Sequence, residues 1–327
     1  MKKRPGKLAI IALAVALVGA GWLVHFFYGW YGPGPLGKET AFVVPAGASL
    51  GSVAPQLERE GVVASAATFR ARARLLGGKE PIKAGEFTIP AGASGSLVLR
   101  ILQGQEGVTQ RLVTVPEGMP SIMVRERLLA QPLLTGPVGD IAEGSILPDS
   151  YDFQRGEPRA AVLARMQKAM DRTLTELWAG RAKDTVAKTP REALILASIV
   201  EKETGKPSER KMVAGLYSNR LRTGMLLQAD PTIIYPITKG KPLGRRIRQS
   251  EIQAVNGYNT YTMTGLPEGP ITNPGRDSIE AVLHPAQTKA LYMVADGTGG
   301  HVFADTLQQH NANVAKWFAI RRARGEL

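Results

Sequence analysis

Two acidic residues at the end of an apolar helix are the first candidates for chemistry. The segment TPREALILASIVEKETG, residues 189–205, places Glu201 and Glu203 directly after a run that is apolar apart from the small Ser198. Thr189 suits an N-cap, Pro190 the first helical position, and Glu192 a capping box, so the spacing predicts a helix that Gly205 stops. Residues 193–200 leave no solvent-facing stripe, which predicts burial in a core. Glu201 follows Leu194, Ala197 and Ser198 at helical spacing and therefore lies over the buried part of the helix. A carboxyl held against apolar surface is disfavoured in its ionised form, so its pKa rises and it can stay protonated at neutral pH. A general acid for glycosidic cleavage needs that property. The alternative is that both glutamates are solvated last-turn residues, or pair with Lys202, Lys206 and Arg210.

Other chemistry-bearing patterns carry less. Gly47-Ala48-Ser49-Leu50-Gly51 matches the G-x-S-x-G nucleophile-elbow expression. Pro45 ends the preceding strand too early, and no series of βαβ units follows, so Ser49 is expected to cap a helix. His301 and His310 match no zinc spacing and are expected to serve in hydrogen bonding, with no metal. Absence of cysteine excludes disulfides, zinc–thiolate sites, iron–sulfur clusters and a cysteine nucleophile. No cofactor is expected.

The elements that must position the glutamates are mixed. The chain has 327 residues, 44% hydrophobic and 21% charged, enough to bury a core in two domains. Lys2, Lys3, Arg4 and Lys7 precede an uncharged stretch at 8–28, long enough to span a bilayer. Trp22, Phe26, Phe27, Tyr28, Trp30 and Tyr31 crowd its far end as an aromatic belt would. The order predicts a cytoplasmic tip at 1–7, a transmembrane helix at 8–28 and export of the remainder. A cleaved signal peptide fits less well, because the apolar stretch is long and aromatics occupy the cleavage position. Gly32-Pro33-Gly34-Pro35 marks a linker at 29–38.

Residues 39–115 read as a small module with strands at 41–44, 85–89 and 108–115 and helices at 50–60, 67–76 and 97–102. Its β-α-α-β core resembles a LysM-like module, a fold associated with glycan binding, although a plain spacer would show the same pattern. From 116 to 327 the chain turns mostly helical, with helices at 121–129 and 159–177 before the glutamate helix. Ser208 is expected to cap the next helix, and Asp230-Pro231-Thr232 to form a turn. The fold class is therefore α+β. The formal charge is +13, of which the N-terminal tip carries four, leaving +9 on the rest. This balance points to an anionic partner. Export demotes nucleic acid, and no zinc-finger or RRM-type signature is present. The basic stretch 239–252 would meet anionic peptides or simply face solvent.

After the glutamates come Met225-Leu226-Leu227-Gln228-Ala229-Asp230-Pro231-Thr232, then GYNTYTMTGLPEGPITNPG at 257–275, then GGH-x-F and a later HN pair. These loops offer the neutral hydrogen-bonding set that a sugar groove needs. In this order, with LASIVEKET, they closely resemble the membrane-anchored endolytic murein transglycosylases, the lytic transglycosylase G family. The resemblance implies a single-pass protein of the cell (inner) membrane with an exported catalytic domain that cuts nascent peptidoglycan strands internally. Peptidoglycan glycan strands are the implied partner, with peptidoglycan synthases as candidate protein partners. The resemblance assigns the catalytic role to Glu201, acting first as acid and then as base to leave a 1,6-anhydro-MurNAc end. Gln228, Asp230, Tyr258, Asn259 and Thr260 match motif positions and are candidates to line the groove, each with loop architecture as the competing role. A muramidase with Asp230 as second carboxylate, or a non-catalytic wall-binding scaffold, are the competing functions.

Overall fold

The computed structural model describes residues 7–45, 47–104, 108–109 and 111–326. Lys2, Lys3 and Arg4 of the expected cytoplasmic tip lie outside them. The chain divides into two compact units, Met1–Arg111 and Leu112–Leu327.

The first unit opens with α1 (Lys7–Tyr31), an apolar helix whose surface is exposed on all sides from Ile11 to Val24. Its segment Ile11–Tyr31 is long and apolar enough to cross a membrane, with mean hydropathy 2.0. The helix runs past the expected end at residue 28 because nothing breaks it before Gly32. Strand β1 (Thr40–Val44) follows, then α2 (Leu50–Arg59), α3 (Ala66–Leu76), β2 (Gly85–Ile89), α4 (Gly95–Leu102) and β3 (Val108–Thr109). Ser49 does cap α2, accepting the Ser52 N–H at 3.2 Å, and its place at a helix start fits no nucleophile elbow. Ser65 and Ser94 cap α3 and α4 in the same way. The three strands form an antiparallel sheet in the order β1-β2-β3, with Phe42 opposite Phe87. Phe42, Leu57, Phe69, Phe87, Ile89 and Leu102 fill the core beneath it.

The second unit begins with β4 (Leu112–Thr114) and α5 (Ser121–Leu129), followed by β5 (Ser150–Asp152) and α6 (Arg159–Ala179). The strand expected at 108–115 is thus two strands: β3 joins β2, whereas β4 pairs with β5. No periodicity can report this, because both pieces alternate alike and only their partners differ. Next come α7 (Pro190–Glu203), α8 (Arg210–Arg222), α9 (Asp230–Thr238), α10 (Gln249–Ile252) and α11 (Arg276–Leu283). A hairpin of β6 (Tyr292–Ala295) and β7 (His301–Ala304) leads to α12 (Leu307–Ala323). A short 3-10 turn, Pro207–Glu209, leads into α8, and Glu209 rather than Ser208 occupies its N-cap. Asp230-Pro231-Thr232 is the first turn of α9, with proline where its missing N–H does no harm.

Helix α7 is the axis of this unit. Leu196, Ile199 and Val200 are fully buried against residues of α8 and α11, among them Val213, Leu216, Ile279 and Val282. Ser198, also buried, accepts the Ile271 N–H at 3.1 Å and donates to the Ile195 carbonyl. This ties the Pro/Gly loop before α11 to the middle of α7.

Candidate active site

Thr189 accepts the Glu192 N–H at 3.1 Å and starts α7 as expected. The Glu192 carboxylate accepts the Lys188 N–H instead of closing a full capping box. At the other end, Glu201 and Glu203 share the last turn. Two residues apart on a helix is about 200° around its axis, so the two carboxyls leave in nearly opposite directions.

Glu201 points to the side of α11. Its Oε2 accepts the Gly275 N–H at 2.9 Å, at the N-terminus of α11 where the helix dipole favours negative charge. Its Oε1 lies 3.6 Å from Arg210 Nη2, and the side chain is 5% exposed. Arg210 is itself buried and also pairs with Glu117 and, at 3.1 Å, with Asp277. One Glu201 oxygen is thus hydrogen-bonded and the other lies within ion-pair range of Arg210, in a charge network that links the 117 loop, α7, α8 and α11.

Glu203 points the other way, into a groove of about 360 Å³ lined by Lys202, Tyr217, Arg220, Gln228, Asp230, Tyr261 and Met293, among others. Its Oε1 is out of contact with solvent and has no hydrogen-bond donor. Burial pushes the Glu203 carboxyl up to about 7, and the negative charge of Asp230 adds to the rise. The Tyr217 hydroxyl hydrogen bond and the Arg220 charge oppose it. Tyr217 is fully buried in α8 and its hydroxyl is held far above the usual phenol range by burial and by Glu203. Arg220 spends its donors on the Leu291 and Leu227 carbonyls at 2.7 and 2.6 Å, which fixes it beside the groove.

Asp230, which also lines the groove, accepts the Tyr261 hydroxyl at 2.6 Å. Gln228 has a positive φ of 52°, unusual for a non-glycine residue and frequent at functional sites. Its backbone N–H donates to the Thr260 carbonyl at 3.1 Å, and its side chain is exposed at the groove. The structure thus brings Gln228 and Asp230 of the expected set to Glu203.

The remaining expected residues build the frame. Asn259 is fully buried, and its amide donates to the Ile252 and Ala254 carbonyls at 2.9 and 2.7 Å while accepting the Tyr261 N–H. It therefore ties the end of α10 to the loop that carries Tyr261. Thr260, equally buried, accepts the Ala229 N–H and pairs with Thr232 at 2.9 Å, clamping the start of α9. Tyr258 packs its ring 4.8 Å from Tyr235, outside the groove. His301 is clamped by Glu209, ring nitrogen to carboxylate at 2.8 Å, and His310 stacks on Tyr292.

The sequence named Glu203 beside Glu201 as a candidate but gave it no role, and did not single out Tyr217 or Tyr261. A signal for Glu203 existed: it follows Leu196, Ile199 and Val200 at helical spacing, a larger and more buried apolar surface than the one under Glu201.

Comparison with known proteins adds a family and a fold. The model of the YceG-like family matches residues 42–316. A Bacillus subtilis (strain 168) protein named endolytic murein transglycosylase is 32% identical over 179 residues, covering 55% of this chain and 49% of that one. A protein of the same name from Streptococcus pneumoniae (serotype 2, strain D39) is 34% identical over 180 residues, 53% of this chain and 32% of its own length. The chain spans half of these relatives or less. The crystal structure of a YceG-like protein from Listeria monocytogenes superposes with a TM-score of 0.53 at 24% identity, over 84% of this chain and 98% of that one, so the two share a fold.

Proposed function

This chain belongs to the YceG-like family, and from that premise we propose that it is an endolytic murein transglycosylase; the burial and surroundings of Glu203 favour it as the single acid–base group, in place of the Glu201 that the resemblance implies. The observation that carries the reading is the burial of the Glu203 carboxyl at a groove that Asp230 also lines, which raises it to about 7. Glu203 protonates the oxygen linking MurNAc to GlcNAc as the bond to C1 breaks. Positive charge then develops on the sugar ring, and the Asp230 carboxylate, steadied by Tyr261, stabilises it electrostatically. The Glu203 carboxylate next takes the proton of the MurNAc C6 hydroxyl, whose oxygen closes onto C1. The substrate supplies its own nucleophile, so one carboxyl does the work that hydrolytic glycosidases divide between two. Gln228, held in its left-handed conformation, offers an amide to the sugar from the groove edge.

In the same reading, α1 anchors the protein in the cell membrane with its N-terminus in the cytoplasm, and the catalytic unit faces the wall. The segment following α1 serves as a LysM-like glycan-holding module. A cavity of about 470 Å³ beside Ser49, Arg70, Arg74 and Gln103 supports that role. The net positive charge favours an acidic wall polymer. Peptidoglycan synthases remain candidate partners.

Mass spectrometry of glycan digested with the purified chain tests the reaction. The expected products end in 1,6-anhydro-MurNAc and are one water lighter than reducing ends. Reducing ends alone would identify a hydrolase with Asp230 as second carboxylate, and absence of cleavage a binding scaffold.

A further inference from the structure

The end of α1 does not swing free of the first unit. Trp30 is 2% exposed, its ring 5.9 Å from Phe69 in the core of the small module, so this aromatic leaves the expected interfacial belt. The chain after it is fastened backbone to backbone, Gly34 N–H to the Gly92 carbonyl at 3.0 Å and Gly92 N–H to the Leu36 carbonyl at 2.7 Å. Three glycines permit this contact. A Cβ at Gly34 would meet the Ala93 carbonyl oxygen at 2.1 Å, one at Gly95 the Trp30 ring at 3.0 Å, and one at Gly29 the Arg72 guanidinium at 2.3 Å.

Between the last turns of α1 and the start of α3 this leaves a crevice of about 320 Å³. Arg72 and His25 are the titratable groups among the described residues that line it, and no carboxylate does. The Arg72 guanidinium lies 5.5 Å from the Phe26 ring and donates to the Gly29 carbonyl at 2.8 Å. Its second contact, to the His25 carbonyl, is long at 3.5 Å, and its Nε has no partner. A guanidinium has five N–H donors in a planar fork suited to phosphate, and here one N–H on each terminal nitrogen is unspent. Ser65 and Thr68 add hydroxyls, and Trp30, Phe69 and Val62 an apolar floor. The crevice opens beside the end of the apolar segment Ile11–Tyr31, the depth at which lipid headgroups lie if that segment spans.

We infer that this crevice holds the phosphate of an anionic glycerophospholipid headgroup, with Arg72 as its cationic contact. The inference rests on the membrane-anchor reading of α1. It makes the junction of anchor and module a lipid-reading site, drawing the module down onto anionic membrane.

The test uses the full chain, extracted in mild detergent and offered equal amounts of phosphatidylglycerol and phosphatidylcholine, with bound lipid counted by native mass spectrometry. Phosphatidylglycerol should be retained about fivefold over phosphatidylcholine, the preference expected from one arginine near a charged headgroup. Arg72→Gln should bring the ratio to about one, and Gly29→Ala, which displaces the guanidinium without removing it, should lower the ratio as well. Arg59→Gln, a charge lost from α2 outside the crevice, should leave it unchanged. Excess inorganic phosphate should not strip the lipid. Equal retention of both lipids by the unaltered chain, or loss of the preference to free phosphate, overturns the proposal. Carbonate-washed membranes separate the two readings. A chain that stays in the membrane without lipid preference sinks the crevice alone, and a chain that washes off sinks the anchor and the crevice together.

Discussion

The two sides of the last turn of α7 carry the same functional group in opposite settings. On the α11 side, Glu201 meets a guanidinium and a backbone N–H, so its oxygens are spent on holding elements together. On the groove side, Glu203 meets a neighbouring carboxylate and a phenol, and one of its oxygens has no donor at all. Both are sheltered from water, so burial alone does not make an acid catalyst. For Glu203, burial raises the pKa most and the neighbouring Asp230 charge adds to it, outweighing the Tyr217 hydrogen bond and the Arg220 charge. In the proposed reading, a rotation of about 200° on one helix separates a bridging carboxylate from the acid.

The largest effect that would sharpen this contrast is expected from Glu203→Gln. It preserves shape and removes the transferable proton, and should lower the rate of glycan cleavage about 1,000-fold with the fold intact. Muropeptide release and circular dichroism check the two halves of that statement.

The same substitution should stabilise the protein in alkali. The folded pKa of Glu203, about 7, lies above the ordinary value of 4.5. Below 4.5 the group is protonated in both states and contributes nothing. As pH rises from 4.5 to 7 the unfolded chain releases the proton first, and folding loses about 3 kcal/mol that is fully missing above pH 7. Glu203→Gln should therefore melt higher than the unaltered protein at pH 8 and equally at pH 4, a crossover that thermal unfolding at the two pH values would register or refute.

Glu201→Gln should act in the reverse sense. It keeps an acceptor for the Gly275 N–H but takes one of three carboxylates from buried Arg210, destabilising the fold by about 2 kcal/mol. Cleavage per folded molecule should fall by less than about fivefold, because no reacting atom is touched. A loss as deep as that of Glu203→Gln at unchanged stability would reverse the assignment.

Two further substitutions are read in the pH profile, which they move in opposite directions. The general acid must be protonated, so activity declines as pH rises through the Glu203 pKa. Asp230→Asn removes the charge that helps hold that pKa up, and should carry the alkaline limb to lower pH with about a tenfold loss above neutrality. Tyr217→Phe removes a hydrogen bond that favours the ionised form, and should carry the limb to higher pH by a fraction of a unit. Limbs that moved together would break the electrostatic account.

How much of this was legible in the sequence follows from the kind of physics involved. The buried helix α7, the Ser49 cap and the apolar α1 rest on local spacing, and each stands in the structure close to where the spacing predicts. The choice between Glu201 and Glu203 rests on which side chains arrive from elsewhere. Arg210 lies in the next helix, but Gly275, Asp230 and Tyr261 come from the starts of α11 and α9 and from a loop far along the chain. Asn259 and Thr260 illustrate the same limit. Their polar side chains suit a sugar groove as well as they suit a loop clamp, and spacing alone does not report that they meet the carbonyls of residues 252 and 254 and the hydroxyl of Thr232. The split between β3 and β4 is a third case, since pairing partners are not local.

The most direct test of the central claim is the titration of the Glu203 carboxyl itself, followed by carbon-13 NMR in the intact chain and assigned by the signal that Glu203→Gln removes. A midpoint near pH 7 is the predicted result, moving downward in Asp230→Asn. A midpoint in the ordinary carboxylate range, unmoved by that substitution, would contradict the account and leave the groove without its acid.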